Sequence, residues 1–231
     1  MSIAPVFRHP YTIYGPGWYD VLRAADVETS LPAPRCRNGE LEEIECVLMA
    51  FTVRRLQPTR IFEFGTFLGT TTLILSSNAP ADAEVFTLDI SEKPDRMSEA
   101  DCLFCNSETV GAAFRGEGDD KNTKIAAAKI TQLWGDSLTY DFSPYYRSMD
   151  LVFVDGGHEY EVVLSDLRNA SKMLRDPYYG VIFVHDFALW RPSVLWATAE
   201  YVNDENLELY VFQSSALAGI GTGLRYLFAV R

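Results

Sequence analysis

From residue 60 onward, short apolar runs bounded by turn residues alternate with segments whose apolar residues recur at helical spacing. Branched and aromatic runs read as strands, and helices between them let successive strands lie parallel, so the pattern predicts an α/β sheet with crossover helices. Strands are expected over 60–65, 84–90, 129–135, 149–156, 180–187, 207–213 and 224–231. Helices are expected over 69–77 and 160–174, the second with Tyr160, Val163, Leu164, Leu167, Ala170 and Leu174 on one face. Another starts at Pro192, a residue suited to the first helical position. A helix also precedes the first strand, with Leu41, Ile44, Val47, Leu48 and Phe51 in register until Pro58 stops it. The last two strands are joined by a loop holding Gly219, Gly221 and Gly223, with no helix-length segment, so they should pair as an antiparallel hairpin. The expected architecture is a seven-stranded, mostly parallel sheet ending in that hairpin, with helices on both faces.

A chain of 231 residues fits one domain with a full core. That domain is expected over 39–231, preceded by an arm (1–38) rich in Pro, Gly and aromatics and without helical or strand period. An arm with exposed aromatics suits a cover over a substrate pocket, a contact in a homo-oligomer, or a simple wrap over the core. Residues 91–124 are polar and irregular and read as an inserted segment with at most short helices, one that orders on ligand binding. The net charge of -12 repels phosphate backbones and anionic membrane surfaces, which argues against nucleic acid as a substrate. No basic segment followed by an apolar run opens the chain and no stretch is long enough to span a bilayer, so a cytoplasmic protein is expected. The cysteines are expected to be reduced thiols. Cys102 and Cys105 form a CxxC, but Cys36 and Cys46 do not complete a zinc ligand set.

The strongest local signal is RIFEFGTFLGTTTL, where a strand runs through Glu63 into Gly65 and Gly69 and then a helix. Gly65 permits a tight turn and close backbone approach, Gly69 opens the helix, and the free amides of the first turn can face an anionic group. A dinucleotide fingerprint would read GxGxxG, whereas an acid two residues before the first glycine suits a cation such as the ammonium of an amino-acid moiety. Asp89 ends the next strand, placed to accept both hydroxyls of a ribose.

Taken together, Glu63, Gly65, Gly69 and Asp89, then Gly135, Asp136 and Ser137, then LVFVDGGHEY, resemble the class I S-adenosylmethionine (SAM) methyltransferases. VDGGHEYEVVLSDL followed by VIFVHDF is similar to the methyltransferase-24 group, which includes macrocin-type sugar O-methyltransferases. The resemblance covers roughly residues 40–231. It implies a Rossmann-like fold and SAM as cofactor, with Glu63, Gly65, Thr66, Gly69, Thr72, Asp89, Asp136, Ser137 and Asp155 around it and Asp136 turned to the adenine amine.

His158, in the loop after Asp155, is a general-base candidate, since an imidazole near neutral pKa can remove a hydroxyl proton during methyl transfer. A plain capping role for it is the alternative. His185 and Asp186 close the following strand, where Asp155, His185 and Asp186 could converge on one divalent ion. Oxygen donors suit Mg2+. Metal-dependent relatives tend to carry two acids at that strand end, and the imidazole here shifts preference toward manganese, iron or zinc, leaving both the ion and its identity open. The expected function is O-methylation of a small hydroxylated acceptor such as a sugar or natural-product intermediate, with a non-catalytic nucleoside-sensing protein as the alternative. A nicotinamide-dependent oxidoreductase is disfavoured by the ExGxxxG turn.

Overall fold

The computed structural model describes residues 10–13, 27–32, 39–94, 108–115 and 120–228. The chain forms two compact units, Glu28–Asp141 and Phe142–Arg231, the latter joined by Met1–Val27. Strand β1 (Pro10–Ile13) belongs to the second of these.

In the first unit, helix α1 (Glu43–Leu56) starts at a reciprocal cap in which the Glu42 amide donates to Glu45 Oε2 at 2.9 Å. It ends where Gln57 turns left-handed (φ 51) and Pro58 withdraws the next amide. Strand β2 (Arg60–Phe64) is buried from Ile61 to Phe64, on both faces, as a parallel strand covered on two sides must be. Helix α2 (Thr70–Asn78), strand β3 (Glu84–Asp89), the short helices α3 (Ala112–Arg115) and α4 (Lys121–Ala127), and strand β4 (Ile130–Trp134) follow. Strands β2, β3 and β4 run parallel in that order, in a register that sets Glu63 opposite Thr87 and Thr87 opposite Gln132. Helix α2 packs between α1 and α4. Buried Asn78 ties segment 27–32 to the unit, accepting from the Ser30 amide at 2.8 Å and donating to the Ser30 carbonyl at 2.7 Å.

The second unit holds β5 (Leu151–Val154), α5 (Tyr160–Met173), β6 (Val181–Val184), α6 (Pro192–Asp204), β7 (Leu209–Phe212), β8 (Ala218–Ile220) and α7 (Gly223–Phe228). Its strand order is β1-β7-β8-β6-β5, with β5 and β6 parallel and β8 antiparallel to both β6 and β7. Strands β5 and β6 are wholly buried, and α5 packs on both and on α6. Pro192 does open α6.

Two strand expectations need correction. The hairpin exists, but its second strand is Ala218–Ile220, and the segment expected as a strand over 224–231 forms α7 across its described residues. Leu224, Leu227 and Phe228 are buried while Arg225 and Tyr226 are exposed, which is helical spacing hidden inside an apolar run. The strand carries glycine at its centre because α7 lies against it: a Cβ on Gly219 would meet Leu224 Cδ1 at 2.6 Å. The arm also contributes an unexpected strand, since β1 pairs in parallel with β7, Pro10 opposite Leu209 and Ile13 opposite Phe212. Most of the arm, along with Cys36, Cys102 and Cys105, lies outside the described residues, so the cover, subunit-contact and thiol expectations do too. The buried Cys46 thiol donates to the Leu41 carbonyl at 3.7 Å.

Candidate active site

Within Glu28–Asp141, the turns after β2, β3 and β4 share the carboxyl edge of three adjacent parallel strands, where open α/β sheets bind ligands. The first turn is built by backbone that side chains resist: Gly65 (φ 86), Phe67 (φ 48) and Gly69 (φ 85) are all left-handed. At Gly69 space is short as well, because a Cβ there would meet Phe114 Cε1 at 2.6 Å and Gly111 Cα at 2.9 Å.

Asp89 holds this turn. Its Oδ2 accepts from the amides of Thr66 (2.9 Å) and Phe67 (2.8 Å), and its Oδ1 from that of Ile90 (2.7 Å). The amides between the two glycines thus face Asp89. Glu63 lies beneath the turn with no exposed surface, and its Oε2 accepts from the Thr87 hydroxyl at 2.6 Å and from the Thr72 hydroxyl. Thr66 and Thr87 hydroxyls meet at 2.7 Å, and Gln132 Nε2 donates to Thr66 Oγ1 at 2.9 Å. Glu63, Thr66 and Thr72, expected around the cofactor, are thus buried and hydrogen-bonded to one another's neighbours at this turn.

Thr87 and Gln132 were missed by the sequence reading, although each is a polar residue within a strand pattern, one of them in the apolar VFTL. Glu40, also missed, accepts from Thr70 Oγ1 at 2.6 Å beside the start of α2. After β4, the Gly135 amide bonds the Asp89 carbonyl at 2.9 Å, and Asp136 Oδ1 takes the Leu138 amide at 3.0 Å, closing a side-chain turn around half-buried Ser137. Trp134 and Leu138, both about two-fifths exposed, offer apolar surface on this edge.

Within Phe142–Arg231, a second group gathers past the carboxyl ends of β5 and β6. His158 Nε2 lies 2.7 Å from Asp186 Oδ2, and His185 Nδ1 lies 3.1 Å from Asp155 Oδ1. Arg191 Nε stands 3.7 Å from Asp186 Oδ2. Asp186 adopts φ 54, an uncommon conformation for a non-glycine residue, and so reaches the same cluster as its neighbour His185. Burial pushes the Asp186 carboxyl up, but the hydrogen bond with His158 and the positive neighbours His185, His158 and Arg191 outweigh it, leaving the group below its ordinary value.

The anticipated metal set does come together: Asp155, His185 and Asp186 each offer a ligand atom within 4.8 Å of the others. That spacing and the mixed oxygen and nitrogen donors fit a divalent ion of about 2 Å bond length. Each carboxylate meets its present partners through a single oxygen, Asp155 Oδ1 toward His185 and Asp186 Oδ2 toward His158 and Arg191. Two positions beyond this cluster, Leu189 (81% exposed) and Trp190 (72% exposed) present large apolar side chains to solvent.

Among solved structures, the fold is similar to the O-methyltransferase TomG from Streptomyces achromogenes, involved in tomaymycin synthesis and solved with SAM (18% identity, 80% of this chain and 82% of that one, TM-score 0.56). It is also similar to cofactor-bound Rv0187 from MTB (18%, 90% and 88%, TM-score 0.56) and to a Bacillus cereus O-methyltransferase solved with S-adenosylhomocysteine (16%, 88% and 88%, TM-score 0.55). Comparison with curated protein sequences finds no match. The structural likenesses establish the Rossmann-like methyltransferase fold, a mostly parallel sheet ending in an antiparallel hairpin. No helix among the described residues is long and apolar enough to cross a membrane. The model of the methyltransferase-24 family, described as a methyltransferase domain, matches residues 62–187, more than half of the chain and every motif residue discussed above, and the chain belongs to that family of SAM-dependent methyltransferases.

Proposed function

We propose that the protein methylates a hydroxyl of a small acceptor, with a sugar or natural-product intermediate as the substrate class. The observation that carries this reading is the His158–Asp186 pair at 2.7 Å, in the DGGH and HD segments of a methyltransferase domain. SAM supplies an electrophilic sulfonium methyl. An acceptor hydroxyl must lose its proton as the oxygen attacks that methyl in line, giving the methyl ether, S-adenosylhomocysteine and a proton. With Nε2 committed to Asp186, the His158 Nδ1 carries the lone pair that takes the proton, and the carboxylate steadies the imidazolium that results. Positioning of the two reactants contributes much of the rest of the acceleration.

On the donor side, the backbone of residues 65–69 receives the methionine end, Asp89 the ribose, and Asp136 and Ser137 the adenine. Glu63, Thr66 and Thr72 act from below as positioning residues. Asp155, His185 and Asp186 would hold a divalent ion, whose chemistry is to lower the pKa of a bound hydroxyl. Leu189 and Trp190 suit an acceptor with an apolar or planar face, and TomG's part in tomaymycin synthesis supports looking among natural products. The net charge of -12 favours an uncharged or cationic small molecule over nucleic acid. The family match runs across the boundary between the two units, which supports one methyltransferase domain over 39–231; a homo-oligomer formed through the arm of residues 1–38 belongs to the same reading. A cytoplasmic location belongs to the same reading.

The test is an assay of methyl transfer from isotopically labelled SAM across a panel of sugars and phenolic or hydroxylated natural products, with and without chelator. An O-methylated product supports the proposal. Product formed only on nitrogen or carbon acceptors overturns it, and activity unchanged after exhaustive chelation removes the metal from it.

A further inference from the structure

At the opposite ends of the strands that lead to Asp155 and His185, the chain builds a second opening. Four backbone hydrogen bonds join the segment before β5 to the last turn of α5 and the residue two beyond it: Arg147 N to the Lys172 carbonyl (2.9 Å), Ser148 N and Met149 N to the Met173 carbonyl (2.9 and 2.8 Å), and Arg175 N to the Met149 carbonyl (2.7 Å). The joined segments border an open groove of about 330 Å³, lined in part by Arg147, Lys172 and Arg175. Tyr146, Leu174 and Pro177 form its apolar part.

The charge here runs against the rest of the molecule. In a chain of net charge -12, three cations share one groove and no carboxylate lines it. Among the described residues, Arg175 pairs with Asp150 at 3.1 Å, while the ion pairs include neither Arg147 nor Lys172. Lys172 Nζ instead stands 5.9 Å from the centroid of the Tyr146 ring. Holding like charges together costs free energy that a bound anion would recover. Arg147 is additionally held left-handed at φ 55, with its amide tied to the carbonyl of Lys172, so the two cations without an acid partner are set by one backbone link.

We propose that this groove is a binding site for a small phosphate-bearing ligand with a planar or apolar body, separate from the methyl-transfer chemistry. A phosphate presents several acceptor oxygens, which Arg forks and a Lys point charge can meet together. The Tyr146 ring with Leu174 and Pro177 then covers the attached body. Strand β5 spans about 13 Å between this groove and Asp155, given the rise per strand residue, so ligands can occupy both ends.

Uridine 5′-monophosphate is a suitable probe, with S-adenosylhomocysteine present in excess so that the donor site is filled. Calorimetry of the full chain is expected to show one site for the probe. The double variant Arg147→Glu and Lys172→Glu, at exposed positions, is expected to weaken it by at least about tenfold, the scale of losing charge-assisted hydrogen bonds. An unchanged melting temperature and methyl transfer in that variant would confirm that the fold is intact. Tyr146→Ala is expected to weaken the probe while leaving pyrophosphate binding as it was. The proposal is overturned if the probe does not bind, if the double variant binds it equally well, if excess S-adenosylhomocysteine abolishes its binding, or if pyrophosphate binds as tightly as the nucleotide.

Discussion

The two strand-end regions that carry the motifs are built on different principles. The strand-end turn of Glu28–Asp141 rests on a buried row of Glu63, Thr87, Thr72 and Thr66, with Gln132 at its end, and every hydroxyl in that row has a hydrogen-bond partner. The cluster of Phe142–Arg231 consists of two imidazole–carboxylate pairs and an arginine, all partly exposed. The first arrangement fixes a loop, which suits binding a ligand in one pose. The second can gain and lose protons, which suits chemistry. Substitutions in the first region should therefore act on stability and donor affinity, and those in the second on turnover.

The largest expected effect is in the second region. Replacing His158 by Ala should lower kcat by roughly 10²–10⁴-fold, the usual worth of a general base, while the Kd for S-adenosylhomocysteine stays the same. A variant with full turnover would remove His158 from the mechanism. Glu63→Ala should do the reverse. It leaves the hydroxyls of Thr72 and Thr87 without their buried acceptor, a loss of roughly 2–3 kcal/mol, read as a lower Tm together with weaker donor binding. If Tm and affinity both hold, Glu63 does not support the loop.

Gly69→Ala comes next. A left-handed φ of 85 and a Cβ 2.6 Å from Phe114 make it costly, at about 1–2 kcal/mol for the backbone and packing strain. Denaturant unfolding measures that loss, and a neutral result would show that the loop and residues 111–114 move apart freely. The smallest effect concerns acid. Because the native Asp186 pKa is depressed, its ionised form stabilises the fold above the ordinary value of 3.8, and that contribution is lost as pH falls through the lower native value. Asp186→Asn should lower stability modestly at neutral pH, where the parent's carboxylate is ionised, and flatten the acid limb below about pH 4, where the parent has already lost that contribution. An acid limb identical to that of the parent would contradict the pairing.

Much of this was legible because it depends on local pattern. Glycines 65 and 69, the strand-to-helix turn, and the DGGH and HD strand ends follow from periodicity and turn chemistry, and the structure brings Asp155, His185 and Asp186 together as expected. Direction was harder to read than position. Nothing in RIFEF says whether Glu63 faces a ligand or the hydroxyls of Thr87 and Thr72, because that depends on the register with β3 and on how α2 packs. Likewise GLRYLF is apolar enough to read as a strand, and only its packing against Gly219 makes it a helix. The pairing of β1 with β7 was also invisible, since a four-residue edge strand carries little periodicity of its own.

The central claim is that the carboxyl edge of β2, β3 and β4 binds the methyl donor, and calorimetric titration of S-adenosylhomocysteine into the parent and Asp89→Ala proteins tests it directly. One site in the parent, weakened by at least about tenfold when the carboxylate that can meet the ribose and holds the loop amides is lost, is the predicted result. Absence of binding by the parent, or equal affinity in the two proteins, would contradict it.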